Sequence, residues 1–105
     1  MDKPFTLNKQ NPKYPAPTDN LISSLPTGKI VVSILNPIKV FIPIAILAAD
    51  VHGSSRSYTI TDKSELDRTF EVLPNAVLQF VIDPTPDVEY KIRVSNILIL
   101  PPTAK

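Results

Sequence analysis

The sequence predicts an all-β fold, an antiparallel β-sandwich or jelly roll of six or seven strands with an extended, proline-rich N-terminal arm. The chain holds twelve prolines and two glycines in 105 residues, and five of the prolines fall within residues 1–28. From Lys29 onward, runs of Ile, Val, Leu and Phe are separated by short turn signals. None of these runs has the pattern of a helix of ordinary length. The apolar residues, 43% of the chain, are therefore predicted to form the core of one small sandwich.

Residues 1–28 show neither a helical nor an alternating period, and we predict them to be an extended arm ahead of a β domain of residues 29–105. Within this arm the segment Lys13-Tyr14-Pro15-Ala16-Pro17 favours polyproline II, because each proline fixes its own φ and disfavours helix in the residue before it. At about 3 Å per residue, such an arm would reach several tens of ångströms. Its apolar anchors are Phe5, Leu7, Tyr14, Leu21, Ile22 and Leu25.

Six strands are predicted in the domain that follows. The pair Asn36-Pro37 is a turn signal between the first two, and Pro43 marks an edge or a bulge because proline cannot donate a ladder hydrogen bond. In the last strand, apolar and polar side chains alternate up to Ser95, which predicts one buried and one wet face. The six strands are residues 29–35, 38–49, 57–61, 68–73, 76–83 and 88–100.

Composition and charge exclude several classes of function. The chain has no cysteine, which removes disulfides, thiolate zinc sites and cysteine nucleophiles. The net charge is +1 and the basic residues do not cluster, so we expect no nucleic acid partner. The apolar stretch 30–49 is interrupted by Pro37, Lys39 and Pro43, so no membrane insertion is expected. The N-terminus has no apolar segment of the signal-peptide type, and an extracellular surface or a virion is compatible with the rest of the sequence.

Few residues offer catalytic or metal chemistry. His52 is the only histidine, and a triad built from its near neighbours is not expected because triads gather residues from distant positions. The acidic residues between 62 and 71 lack the spacing of a calcium loop. Asp83 and Asp87 flank a Pro-Thr-Pro corner and are interpreted as turn caps. We therefore predict no catalytic residue, no cofactor and no metal site, and a chain that is not an enzyme.

The predicted strands at 38–49 and 97–100 are apolar on both faces. In a two-layer sandwich the outer face of each sheet is normally wet and polar, so something must cover this second apolar face. The arm of the same chain and a neighbouring subunit are the two candidates. The residues predicted to form a subunit interface are Phe5, Leu7, Tyr14, Leu21, Ile22, Phe41, Ile42, Ile44, Ile97 and Ile99.

The layout of the chain resembles that of the small β-sandwich subunits of bacterial surface filaments, including endospore-appendage proteins. The resemblance covers the arm of residues 1–28, the strands that follow, and the strand–turn–strand Arg68-Thr69-Phe70-Glu71-Val72-Leu73-Pro74-Asn75-Ala76. It implies a jelly roll preceded by a connector to the next subunit. Members of that family commonly carry connector cysteines for cross-linking, and this chain has none. Viral capsid, decoration and tail proteins share the same layout.

Two functions are compatible with these observations. The first is a non-enzymatic structural subunit that assembles with copies of itself into a filament, shell or virion-like particle through its arm and its apolar strands. Deleting residues 1–20 would then leave a folded domain that no longer polymerises. The alternative is a small binding module for carbohydrate, peptide or protein, with its site in the rim loops 50–56 and 83–87.

Overall fold

A computed structural model describes residues 4–14, 22–24 and 26–97 of the chain. The described residues form nine strands and one short 3₁₀ turn, Lys63–Glu65, and contain no α-helix. This confirms the all-β prediction. The strands are β1 (Phe5–Asn8), β2 (Lys13–Tyr14), β3 (Ile22–Ser23), β4 (Lys29–Ile34), β5 (Ile44–Asp50), β6 (Ser55–Ile60), β7 (Thr69–Glu71), β8 (Ala76–Ile82) and β9 (Glu89–Ile97).

The strands form two antiparallel sheets packed face to face. Sheet 1 has the order β1-β9-β4-β7, and sheet 2 has the order β2-β8-β5-β6, with β3 pairing with a second part of β8. If β2 and β3 are taken as two pieces of one edge strand, eight strand positions are divided equally between two sheets, which is the arrangement of a jelly roll. The predicted sandwich is thus confirmed, with more strands than the sequence indicated.

The core lies between the sheets and is built by strict alternation. In β9 the side chains of Tyr90, Ile92 and Val94 are buried, as the sequence predicts, while their neighbours Lys91 and Arg93 are exposed. Alternation of this kind stabilises a sandwich because each strand places every second side chain in the core. The other fully or almost fully buried apolar residues are Phe5, Leu7, Ile30, Val32, Ile44, Ile46, Ala48, Ile60, Val72, Ala76, Leu78, Phe80 and Ile82.

The second predicted strand is too long. Residues 38–43 form a loop, and β5 begins only at Ile44. The Tyr90 hydroxyl holds this loop, since it accepts a hydrogen bond from the Ile42 amide at 2.6 Å and donates one to the Val40 carbonyl at 3.2 Å. Burial raises the pKa of Tyr90, and the bond from Ile42 lowers it by less. Phe41 and Ile42 in this loop pack against the core, which accounts for their apolar character.

The predicted arm is largely built into the sandwich. We predicted residues 1–28 to lie outside the domain, but its described strands β1, β2 and β3 pair with the central strands β9 and β8. Phe5 and Leu7, at 6% and 0% exposure, lie in the core. Deleting residues 1–20 would thus open the core, which revises the expectation that the truncated domain stays intact.

The chain enters β4 through Gly28, which has φ +66. A Cβ at this position would overlap the carbonyl oxygen of Val72. The Val72 amide donates a hydrogen bond to the Gly28 carbonyl at 2.7 Å, which holds the two backbones together. Just before this, the buried Ser24 hydroxyl donates to the Leu73 carbonyl at 2.8 Å and accepts from the Ala76 amide at 2.9 Å. These contacts fix the course of the chain into the first long strand.

No helix in the described ranges has the length and hydropathy needed to cross a membrane. The apolar stretch that contains Pro37 and Pro43 is instead the end of β4, the loop beneath Tyr90, and β5.

Candidate functional site

Residues 4–14 form a short unit that spans both sheets, and we call it the N-terminal clasp. Its first strand, β1, pairs with β9 in the register Phe5 opposite Ile92 to Asn8 opposite Glu89. The chain then turns, and the Asn8 side chain closes the turn by accepting a hydrogen bond from the Asn11 amide at 2.8 Å. Its second strand, β2, pairs with β8 in the other sheet. The clasp thus bridges the gap between the sheets along one long side of the sandwich.

Aromatic stacking seals this side. The rings of Phe5 and Tyr14 are stacked at 4.1 Å between centroids with an interplanar angle of 5°, and Phe5 also contacts Phe80 at 5.5 Å. Leu7 lies deeper and is fully buried. Since full burial of a side chain of this size contributes about 2–3 kcal/mol, these few residues hold the clasp in place.

The clasp is joined to the rest of the fold by more chain than its docked position requires. Tyr14 lies opposite Phe80 and Ile22 lies opposite Leu78, so the two attachment points are two residues apart along β8, about 7 Å. Eight residue steps separate Tyr14 from Ile22, and a chain of this length can span up to about 27 Å. Residues 15–21 lie outside the described residues. The connection can therefore span about four times the distance between its two attachment points.

The other predicted interface residues fall into four groups. Ile44 is fully buried in the chain's own core, so it is not free to contact a neighbour. Phe41 and Ile42 are half-buried in the loop beneath Tyr90. The backbone of Ile22 pairs with that of Leu78, and the backbone of Ile97 pairs with that of Lys29. Leu21 and Ile99 lie outside the described residues.

The two outer faces of the sandwich differ in charge. On sheet 1 the outward positions of β9 and β4 carry charged side chains, among them Lys29, Lys91 and Arg93. On sheet 2, the outward positions of the four strands β2, β8, β5 and β6 carry one charge, that of Lys13 on the edge strand β2. The outward positions of sheet 2 are Lys13, Ala45, Leu47, Ala49, Ser55, Ser57, Thr59, Val77, Gln79 and Val81.

The sequence predicted a second apolar face within residues 38–49 but not its centre at Leu47 and Val77. The signal was present in the alternation of β5, where Ile44, Ile46 and Ala48 point inward and Leu47 points outward. Choosing between the two faces of such a strand requires the pairing with β8, which only the fold provides.

The two rim loops of the alternative function do not meet. Because β5 and β8 are antiparallel, with Ile44 opposite Ile82 and Asp50 opposite Ala76, loop 83–87 lies at one end of the sandwich and loop 51–54 at the other. A single site that uses both loops is therefore not possible within one copy. An open groove lies beside loop 83–87, and it is lined by residues 36–40 and 87–90, with no residue of loop 51–54.

The polar residues considered for chemistry serve as turn caps. The Asp50 carboxylate accepts hydrogen bonds from the amides of His52 and Ser54 at 2.9 and 3.0 Å, which fixes the β5–β6 turn. Asp83 accepts from the Thr85 amide at 2.9 Å, and its hydrogen bonds from the backbone and side chain of Thr85 lower the pKa of that carboxyl. Among the described residues, no three His, Cys, Asp or Glu side chains are grouped so that they could hold a metal ion.

Comparison with family models, with curated proteins and with solved structures gave no significant match to this chain.

Proposed function

We propose that this chain is a non-enzymatic structural subunit that assembles with copies of itself, and that the N-terminal clasp of one copy docks on the body of another. The observation that carries the proposal is the combination of a deeply inserted clasp with a connection longer than its docked position needs. A filament, shell or virion-like particle is the kind of assembly that repeated docking would build.

The physical basis is that docking on a neighbour makes the same contacts as docking on the parent chain. Leu7 would enter the same buried position beside β9, and Phe5 would stack in the same way with Tyr14, which travels with it. The two states differ mainly in the entropy of the connection and in concentration. Exchange therefore needs no new recognition surface, and it links copies head to tail, which produces an open chain of subunits when the rotation does not close.

Single cysteines test this proposal, because the chain has none of its own. Thr6 and Lys91 are opposite each other in the pairing of β1 with β9, and both side chains are exposed. Directly paired strand residues lie about 5 Å apart, within the range of a disulfide. The variants Thr6→Cys and Lys91→Cys are unfolded, mixed, refolded together and oxidised, and the mixed disulfide is identified by mass after non-reducing electrophoresis.

Docking between copies predicts that the Thr6–Lys91 mixed dimer is the main cross-linked product. A matched control mixes Thr6→Cys with Thr69→Cys, an exposed position on β7 at the far edge of the same sheet. This control is expected to give little Thr6–Thr69 mixed dimer. The contrary result is a mixed dimer no more abundant than in this control, together with a disulfide within one chain in the Thr6→Cys/Lys91→Cys double variant. The clasp would then dock on its own chain, and the proposal would be wrong.

A further inference from the structure

We propose that the outer face of sheet 2 is a second contact between copies of this chain, in which the same face of two molecules packs together around Leu47 and Val77. This inference rests on the proposed self-assembly and assigns it a second surface, centred on β5 and β8, to which the clasp contributes only Lys13 at the margin. The clasp lies along the edge of the sandwich, whereas this face is the flat outer surface of β5 and β8.

The side chains on this face are unusual for a wet sheet surface. Leu47 and Val77 are 43% and 39% exposed and lie on adjacent strands. Around them the outward positions hold alanine, valine, glutamine and hydroxyl side chains, and Lys13 is the one charge among these outward positions. The other charges on the described strands of the sheet, Asp50 and Arg56, lie at positions of the inward phase at the strand ends. An antiparallel sheet normally places polar and charged residues outward. Sheet 1 does so, with Lys29, Lys91 and Arg93 outward.

The lack of charge on the face of sheet 2 favours a second copy of this chain as its partner. Packing two copies of the same face together removes its charges from water, so the outer face of sheet 1, which carries both basic and acidic side chains, disfavours self-contact. The face of sheet 2 places no like charges at its centre, since Lys13 lies at its margin. A two-fold axis that passes near Leu47, in the middle of the face, would place the Leu47 side chains of the two copies against each other.

The area sets the strength of this contact. The four strands β2, β8, β5 and β6 have two, seven, seven and six residues, and at a spacing of about 4.8 Å they cover about 360 Å² per copy, or about 720 Å² in total. This is less than half of the roughly 1,600 Å² of a standard stable interface and below the usual range of specific ones. The contact alone is therefore expected to be weak, and it gains strength when the clasp also links the copies.

Charge-swap variants of Leu47 test the inference. The full chain is compared as wild type, Leu47→Lys, Leu47→Glu, and an equal mixture of the two variants, by sedimentation equilibrium over a range of concentrations. Thr69→Lys, on the outer face of sheet 1, is the matched control. Thermal melting is measured for each variant, and Leu47→Thr serves as a milder replacement if either charged variant is unfolded.

Each charged variant is expected to weaken association by at least about tenfold, because the charge would be buried against its own copy. The mixture is expected to recover most of that loss, Leu47→Thr to weaken association by about threefold, and Thr69→Lys to change it by less than about twofold. If wild type associates and the Leu47 variants associate equally well, or the mixture is no better than its parts, this face is not the contact and the proposed self-assembly stands. If wild type stays at 11.6 kDa throughout, both proposals are wrong.

Discussion

The two long sides of the sandwich are closed by different means. On one side the clasp fills the gap between the sheets with Leu7 and with the stacked pair Phe5 and Tyr14. On the other side, between β6 and β7, Tyr58 and Phe70 meet edge to face at 5.9 Å and leave an open groove of about 420 Å³. The clasp side thus depends on a separate terminal segment, whereas the β6–β7 side depends on strands that belong to the body.

This difference bears on assembly. In the proposed assembly the clasp completes the core of another copy, and the segment between Tyr14 and Ile22 is the connection that would span the two copies. Strands β6 and β7 are connected at both ends and have no such freedom. The deep burial of Phe5 and Leu7 stabilises one copy, and under the proposed assembly the same burial would hold the clasp on a neighbouring copy.

The largest expected effect compares one truncation on each side. Leu7→Ala removes a fully buried side chain from the clasp and is expected to lower the free energy of unfolding by about 4 kcal/mol. Leu73→Ala makes the same truncation at a half-buried position lining the β6–β7 groove and is expected to cost about 1–2 kcal/mol. Denaturant titration of both variants measures the difference, and equal losses would contradict the contrast between the two sides.

A smaller effect is expected at the backbone contact that supports β7. Gly28→Ala places a Cβ against the Val72 carbonyl at a positive φ and is expected to cost about 3 kcal/mol. Gly53→Ala is the control, since Gly53 has φ +89 with nothing within 4 Å of the added Cβ, and the expected cost is about 1–2 kcal/mol of backbone strain alone. Thermal or denaturant unfolding compares them. A Gly53 variant as unstable as the Gly28 variant would show that the overlap with Val72 is relieved.

The smallest expected effect is the coupling energy of each aromatic pair. Double-mutant cycles with alanine at Phe5 and Tyr14, and separately at Tyr58 and Phe70, are each expected to give a coupling energy of about 1 kcal/mol, so that each double variant loses about 1 kcal/mol less stability than the sum of its two single variants. The clasp pair should have the larger value because Phe5 is only 6% exposed, whereas both rings of the other pair are half-buried. A larger coupling at Tyr58 and Phe70 would reverse the ranking of the two sides.

The sequence predicted the body better than the clasp, for physical reasons. The alternation in β9 identified Tyr90, Ile92 and Val94 as a buried row, because period-two patterns depend on the local chain alone. Strand β1 has only four residues and β2 has two, and their partners are more than sixty residues away in β9 and β8. Such pairing has no local signal, and the nearby prolines favour the interpretation as a loose arm.

The loop at 38–43 was misassigned because its apolar residues have the composition of a strand. What holds it is the hydroxyl of Tyr90, 48 residues from Ile42 in the sequence, and no pattern near the loop reveals that contact. The outer face of sheet 2 was partly predictable, since the double apolar character of 38–49 was seen, but its centre at Leu47 and Val77 required the register of β5 with β8.

The central claim is that copies of this chain join one another, and the mass of the native particle in solution tests it most directly. Multi-angle light scattering of the full chain over a concentration series is predicted to give masses that are multiples of 11.6 kDa and that increase with concentration. A constant mass of 11.6 kDa at every concentration would contradict the account.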